Sequence, residues 1–226
     1  MSIISSVRIV ILGLTTSFIL RLVGTLVPSL FESYTLAVIS VNIHLATNIF
    51  LAYFFLLLAR DYLDQQRENL RSAALWAGAG SVIYALMNLR FVLRKLRMVT
   101  IPGFLRDSYI DTIGPLIGII FILAFFVRFK KNLLPDERPD LKRGTRSAVF
   151  GYTLFTIMHV AILLNYYISD TSKPSHISGI FRWFILPLLF VGFIAILDFY
   201  RLFHRYLRWS RPSTLKRDRI ITSTDT

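Results

Sequence analysis

Apolar runs of about twenty residues, separated by short charged or turn-rich stretches, recur six times along this chain. Roughly 20 apolar residues is the length a helix needs to cross about 30 Å of hydrocarbon. The pattern predicts membrane-spanning helices over about Ile9–Leu30, Tyr34–Leu58, Ala73–Leu93, Tyr109–Val127, Ala148–Tyr167 and Phe181–Leu197. The last is expected to continue through DFYRLFHRYLRW as an interfacial stretch, with Trp, Tyr and Arg at headgroup depth. The opening MSIISSVRIVILGL has the look of a signal peptide. Its apolar run passes Arg21 and reaches Leu30 without a small-x-small cleavage site, so it is read as the first span. The expected fold class is all-α: a polytopic bundle of six transmembrane helices with both termini cytoplasmic. Residues 1–208 form the membrane domain and 209–226 a polar, disordered cytoplasmic tail.

The polar breaks orient the spans. Residues 128–146, RFKKNLLPDERPDLKRGTR, carry seven Lys or Arg and two prolines, a density that hydrocarbon excludes. This run is read as a cytoplasmic loop, and ARDYLDQQRENLR, which mixes both signs, as a short helical extension between the second and third spans. With both termini inside, eighteen Lys and Arg fall on the inner side and seven outside, and Arg21 remains within a span. The positive-inside bias supports that orientation. The exception is the third loop, which places five basic residues between Arg90 and Arg106 on the outer side, until Pro102–Gly103 breaks the helical pattern. The first and second sets of three spans share no pattern that would signal an inverted repeat.

Composition narrows the picture further. Hydrophobic residues make up 54% of 226, charged residues 17%, and the mean hydropathy is +0.58, leaving little soluble mass. The net charge of +13 fits the inner-loop bias and attraction to anionic lipid. Nucleic acid is not an expected partner, because no basic, aromatic-interleaved soluble module is present. The expected partners are the bilayer, with its anionic lipids, and a membrane or cytoplasmic protein. The expected location is a bacterial or archaeal cytoplasmic membrane. The chain has no cysteine, which excludes disulfides, thiolate metal sites and cysteine nucleophiles. Walker, GxSxG, HExxH and dinucleotide signatures are absent.

Several polar residues nevertheless fall within spans, where each is costly and asks for a use. Ser40, His44, Thr47 and Asn48 form one stripe on the second span, and Tyr152, Thr156, His159 and Tyr166 share a face of the fifth. His44 and His159 sit near mid-depth, so as neutral imidazoles they could hold a haem b iron from opposite sides. The structural alternative is that each bonds a hydroxyl or carbonyl across a helix interface. A metal site lacks a third deep ligand.

Arg21 is balanced by Asp111 in one reading. In the other, Arg21, Arg90, Arg94, Asp111 and Asn48 line a basic cleft for a phosphate, a carboxylate or a lipid headgroup. Asp198 and Arg201, three residues apart, are expected to pair. Small residues mark packing seams: Gly13, Ser17 and Gly24 on the first span, Ala77, Ser81 and Ala85 on the third, and Gly114 with Gly118 on the fourth. Three functions follow as expectations. The first is a transporter-like protein or membrane subunit with an anion- or lipid-binding cleft, the second a b-type cytochrome, the third a membrane sensor or anchor module.

Overall fold

The computed structural model describes residues 2–27, 34–95, 110–133, 138–171 and 177–210. Their secondary structure is six α-helices: α1 (Ile3–Leu26), α2 (Tyr34–Asp64), α3 (Glu68–Lys95), α4 (Ile110–Lys131), α5 (Pro139–Thr171) and α6 (Ile177–Ser210). All six are long and apolar enough to cross a membrane. The expected all-α bundle of six spans is the fold observed; the tail after Ser210 lies outside the described residues.

Each helix packs against the next in the chain, and α6 returns to α1, so the six form a closed ring in chain order. The outer surface is apolar. Leu12, Leu56, Leu86, Ile120, Ile157 and Ile194 are all exposed, as lipid-facing positions must be. Small residues set the close approaches. A Cβ on Gly80 of α3 would stand 2.5 Å from the Gly118 carbonyl oxygen of α4, and one on Gly151 of α5 would stand 2.6 Å from the Gly192 carbonyl oxygen of α6. Backbones meet there because neither partner has a side chain. Ala77 and Ser81 are fully buried in the expected α3 seam. Gly13 abuts Thr47 of α2, and Ser17 is buried on the same face of α1.

The helices run further than the apolar runs. The 34 residues of α6 would stretch about 51 Å at 1.5 Å per residue, well beyond a hydrocarbon core of about 30 Å. The excess lies at the end where α2 meets α3 and α4 meets α5. Among the described residues, fourteen Lys and Arg and five Asp and Glu gather there. The 128–146 stretch is therefore mostly not loop. α4 continues to Lys131, and α5 begins at Pro139, whose missing N–H suits the first helical position. Leu141, Gly144 and Thr145 are buried, Gly144 against Leu202 of α6, while Lys142, Arg143 and Arg146 ride on the partly or fully solvated side.

The α2–α3 break likewise shrinks to a turn at Gln65–Arg67, with Gln66 at φ 57° and Arg67 N–H bonding to Tyr62 O at 2.9 Å. The extension of α6 differs from an interfacial stretch too. Phe199, Tyr200, Leu202 and Phe203 are core residues, and only one side of that helix, including Arg201, Arg205, Arg208 and Trp209, is exposed. Arg138 at the start of α5 lies 5.8 Å over the Trp209 ring.

That basic half of the ring is filled by an aromatic plug. Phe54, Phe55, Phe125, Phe126, Phe199 and Tyr200 are almost wholly buried. Their rings interlock edge to face, Phe55 on Phe125 at 5.1 Å and Phe126 on Phe199 at 4.7 Å, the geometry that ring quadrupoles favour.

Candidate functional site: a polar chamber at the ring axis

Above the plug the ring surrounds a partly open cavity of about 70 Å³, and every helix contributes to its wall. Leu14 and Ser17 come from α1, His44, Thr47 and Asn48 from α2, Tyr84 from α3, Ile119 from α4, Tyr152 from α5, and Phe193 from α6. Each lies near the middle of its helix, within the apolar part of the span. Its walls are mostly apolar and carry hydroxyls, an amide and an imidazole, with no formal charge.

The hydrogen bonds fix what these groups can offer. Thr47 donates its hydroxyl to the Ile43 carbonyl at 2.7 Å, so the 3.3 Å contact with Ser17 is a bond that Ser17 donates across the α1–α2 interface. Asn48 gives one amide hydrogen to the His44 carbonyl at 2.8 Å, which leaves its oxygen and second N–H for an occupant of the chamber. His159 is buried one bond back from the wall. Its Nδ1 lies 2.9 Å from the Phe155 carbonyl oxygen, an acceptor only, so Nδ1 carries the hydrogen. In the neutral ring Nε2 then accepts from the Tyr84 hydroxyl at 3.1 Å. At the chamber floor the Tyr152 hydroxyl lies beside that of Tyr200. The Tyr200 hydroxyl is fully enclosed and makes no hydrogen bond of good geometry.

The two histidines thus do different things. His44 lines the chamber directly, whereas His159 faces it through Tyr84 and stands across the ring, on a helix that is not a neighbour of α2 in the ring order. Both ring nitrogens of His159 already engage protein atoms, and the chamber is several times smaller than the roughly 300–1,000 Å³ of a drug-sized ligand site. As packed, these residues do not fit a haem between them. Among the described residues no group of three or more His, Asp or Glu has the arrangement of a metal site.

Of the outer-cleft residues, Asn48 faces the axial chamber. Arg90 is half-buried, with its guanidinium nitrogens enclosed. Arg21, Arg94 and Asp111 belong to helices α1, α3 and α4, and their side chains lie outside the described residues, as does that of Tyr166.

Asp198 does not pair with Arg201. Its carboxylate accepts the Ser147 hydroxyl at 3.0 Å, bonding α6 to α5, while Arg201 points to solvent. The geometry favours this because Asp198 turns toward the α5 interface and Arg201 toward the outside of the same helix. Tyr84 is the site residue that sequence reasoning missed, since nothing in its spacing separates it from the other nine tyrosines.

Comparison of the chain with family models, with curated proteins and with solved structures finds no match.

Proposed function

We propose that the protein is a small transporter-like membrane protein whose axial chamber takes a small, uncharged, hydrogen-bonding solute. One observation carries the reading: all six helices turn a mid-helix residue toward one cavity, where Ser17, His44, Thr47, Asn48, Tyr84 and Tyr152 interrupt an otherwise apolar wall. A bundle needing only to be stable would fill that space with hydrocarbon, because buried polar groups cost free energy unless they are bonded. Asn48, with half its amide uncommitted, supplies a donor and an acceptor, and the Ser17 hydroxyl oxygen a further acceptor. The absence of charge in the wall disfavours an ion, whose desolvation at this depth would go uncompensated. The volume of about 70 Å³ suits a few waters or a solute of a few heavy atoms.

Reswelling of osmotically shrunken proteoliposomes tests this, with glycerol and urea as probe solutes. Reswelling severalfold faster than in protein-free vesicles, and slowed by Asn48→Leu, is the expected result. Equal rates for protein-containing and empty vesicles would remove the reading. An absorption spectrum of the protein made with haem available covers the cytochrome alternative. A Soret band lost in the double variant His44→Ala, His159→Ala would put electron transfer first.

A further inference from the structure

A second concave feature lies on the outside of the ring, independent of the chamber. Between α3 and α4 runs a groove of about 360 Å³, lined by Ala73 and Trp76 on one side and Phe121, Ala124 and Arg128 on the other. Trp76 is 54% exposed, and its indole meets the Phe121 ring edge to face at 5.2 Å. Ala73 and Ala124 leave a trough beside that ring pair, since neither reaches far from its helix. A shallower hollow of about 520 Å³ adjoins the groove across Trp76 and includes Arg71.

The groove has a direction. Phe121 and Arg128 are seven residues apart on α4, about 10 Å along the helix axis. Arg128 lies in the last turn of α4 at the basic end, while Phe121 is close to the helix middle. The trough therefore starts among charged groups and descends into hydrocarbon. At its charged mouth the cations are not equivalent. Arg71 is held by Glu68 at 3.0 Å. Arg128 is exposed and makes no side-chain ion pair or hydrogen bond among the described residues, and exposed Lys130 and Lys131 follow it.

We infer that the α3–α4 groove is a binding site for one anionic phospholipid of the leaflet at the basic end. An acyl chain lies in the Ala73–Trp76–Ala124 trough, and the headgroup phosphate meets the Arg128 guanidinium. The charge at the mouth selects the sign of the headgroup, and the apolar depth selects a lipid over a soluble phosphate. A guanidinium matches phosphate oxygens with two parallel N–H donors. One basic residue beside an anionic headgroup corresponds to roughly a fivefold preference over a zwitterionic one. The site is local, unlike the general attraction of the whole basic end, and that difference is measurable.

Trp76 reports on the groove directly. In the variant Trp183→Phe, Trp209→Phe it is the sole tryptophan, and Phe at 209 keeps a ring beneath Arg138. Its fluorescence is read in nanodiscs containing brominated phosphatidylglycerol or brominated phosphatidylcholine. The expected result is an association about fivefold tighter for the glycerol lipid. That preference should fall to parity in Arg128→Gln, persist in Arg128→Lys, and persist in Arg143→Gln, which removes a charge from the same end on α5. Circular dichroism establishes that each variant is folded, and Arg128→Ala, which also removes the charge, carries the comparison should Arg128→Gln fail. Equal quenching by both lipids in the parent, or a preference that survives Arg128→Gln, would overturn the inference. Absence of quenching by either lipid would overturn it as well, because a protein partner or a second copy would then cover the groove.

Discussion

The least ordinary atom in the structure is the Tyr200 hydroxyl, wholly enclosed beside Tyr152 and lacking a well-formed hydrogen bond. Leaving a buried hydroxyl unsatisfied costs on the order of 1–3 kcal/mol, so its removal should help. Tyr200→Phe is expected to leave stability unchanged or raise it by about 1 kcal/mol, read as the midpoint of thermal unfolding in detergent. A loss of that size would mean the hydroxyl is bonded, by the Tyr152 hydroxyl beside it or by a water shared with the chamber. His159 presents the contrary case, in which the hydrogen on Nδ1 and the lone pair on Nε2 both find partners. The sequence singles out His44 and His159 because an imidazole in a span is rare. It is silent about Tyr84, because a tyrosine in a span is common and only the reach of its hydroxyl across the ring to His159 gives it a role.

Between helices, the decisive quantity is how near two backbones come. At Gly80 a methyl group would overlap the Gly118 carbonyl oxygen, a backbone atom that cannot rotate away. At Gly78, two residues earlier on α3, the nearest atoms would be 3.7 Å away, an ordinary contact. Gly80→Ala should therefore destabilise by about 1–3 kcal/mol as α3 and α4 are forced apart. Gly78→Ala should be neutral or slightly stabilising, through lower helix entropy cost. Equal melting temperatures for the two would contradict the close approach.

The pairing partner of Gly118 was not legible from its own motif. Gly114, its companion in the GxxxG pattern, meets the flexible Met87 side chain, and the backbone contact is made by Gly118 alone. The helices also outrun the apolar segments that mark them in the sequence. Hydropathy reports the solvent around a residue, and the ends of α5 and α6 pass from lipid into water while the backbone stays helical. Leu141 and Phe203 mark the buried side of those extensions, and Arg143 and Arg205 the solvated side.

For the molecule as a whole, the excess of Lys and Arg at one end is the feature from which an orientation is predicted, and it is readable from the sequence alone. Because the chain has no cysteine, one introduced thiol is a unique label. Gln66→Cys in the α2–α3 turn and Val27→Cys at the opposite end of α1 should react from opposite sides with a membrane-impermeant maleimide. In intact cells only the Val27 variant is expected to label, with Gln66 requiring permeabilisation. The reverse pattern would invert the topology. The number of spans was legible from run lengths alone. The closed ring was not, since which helices touch is decided by glycine positions and ring contacts distributed over all six.

The ring's last joint sets its order of assembly. The α1–α6 seam is the thinnest of the six, closed by Phe18 stacked on Phe193 at 4.5 Å and by Arg8 Nε donating to His204 Nε2 at 3.0 Å. As the chain is made, each of α2 to α6 follows a ring neighbour already there, and α6 meets two. The first helix packs on α2 early, but its α6-facing side, with Phe18 and Arg8, stays open until the last span is made. A ribosome that stalls before α6 leaves an unfinished arc with polar groups bared at mid-membrane, a mark by which quality control could distinguish incomplete chains from finished ones.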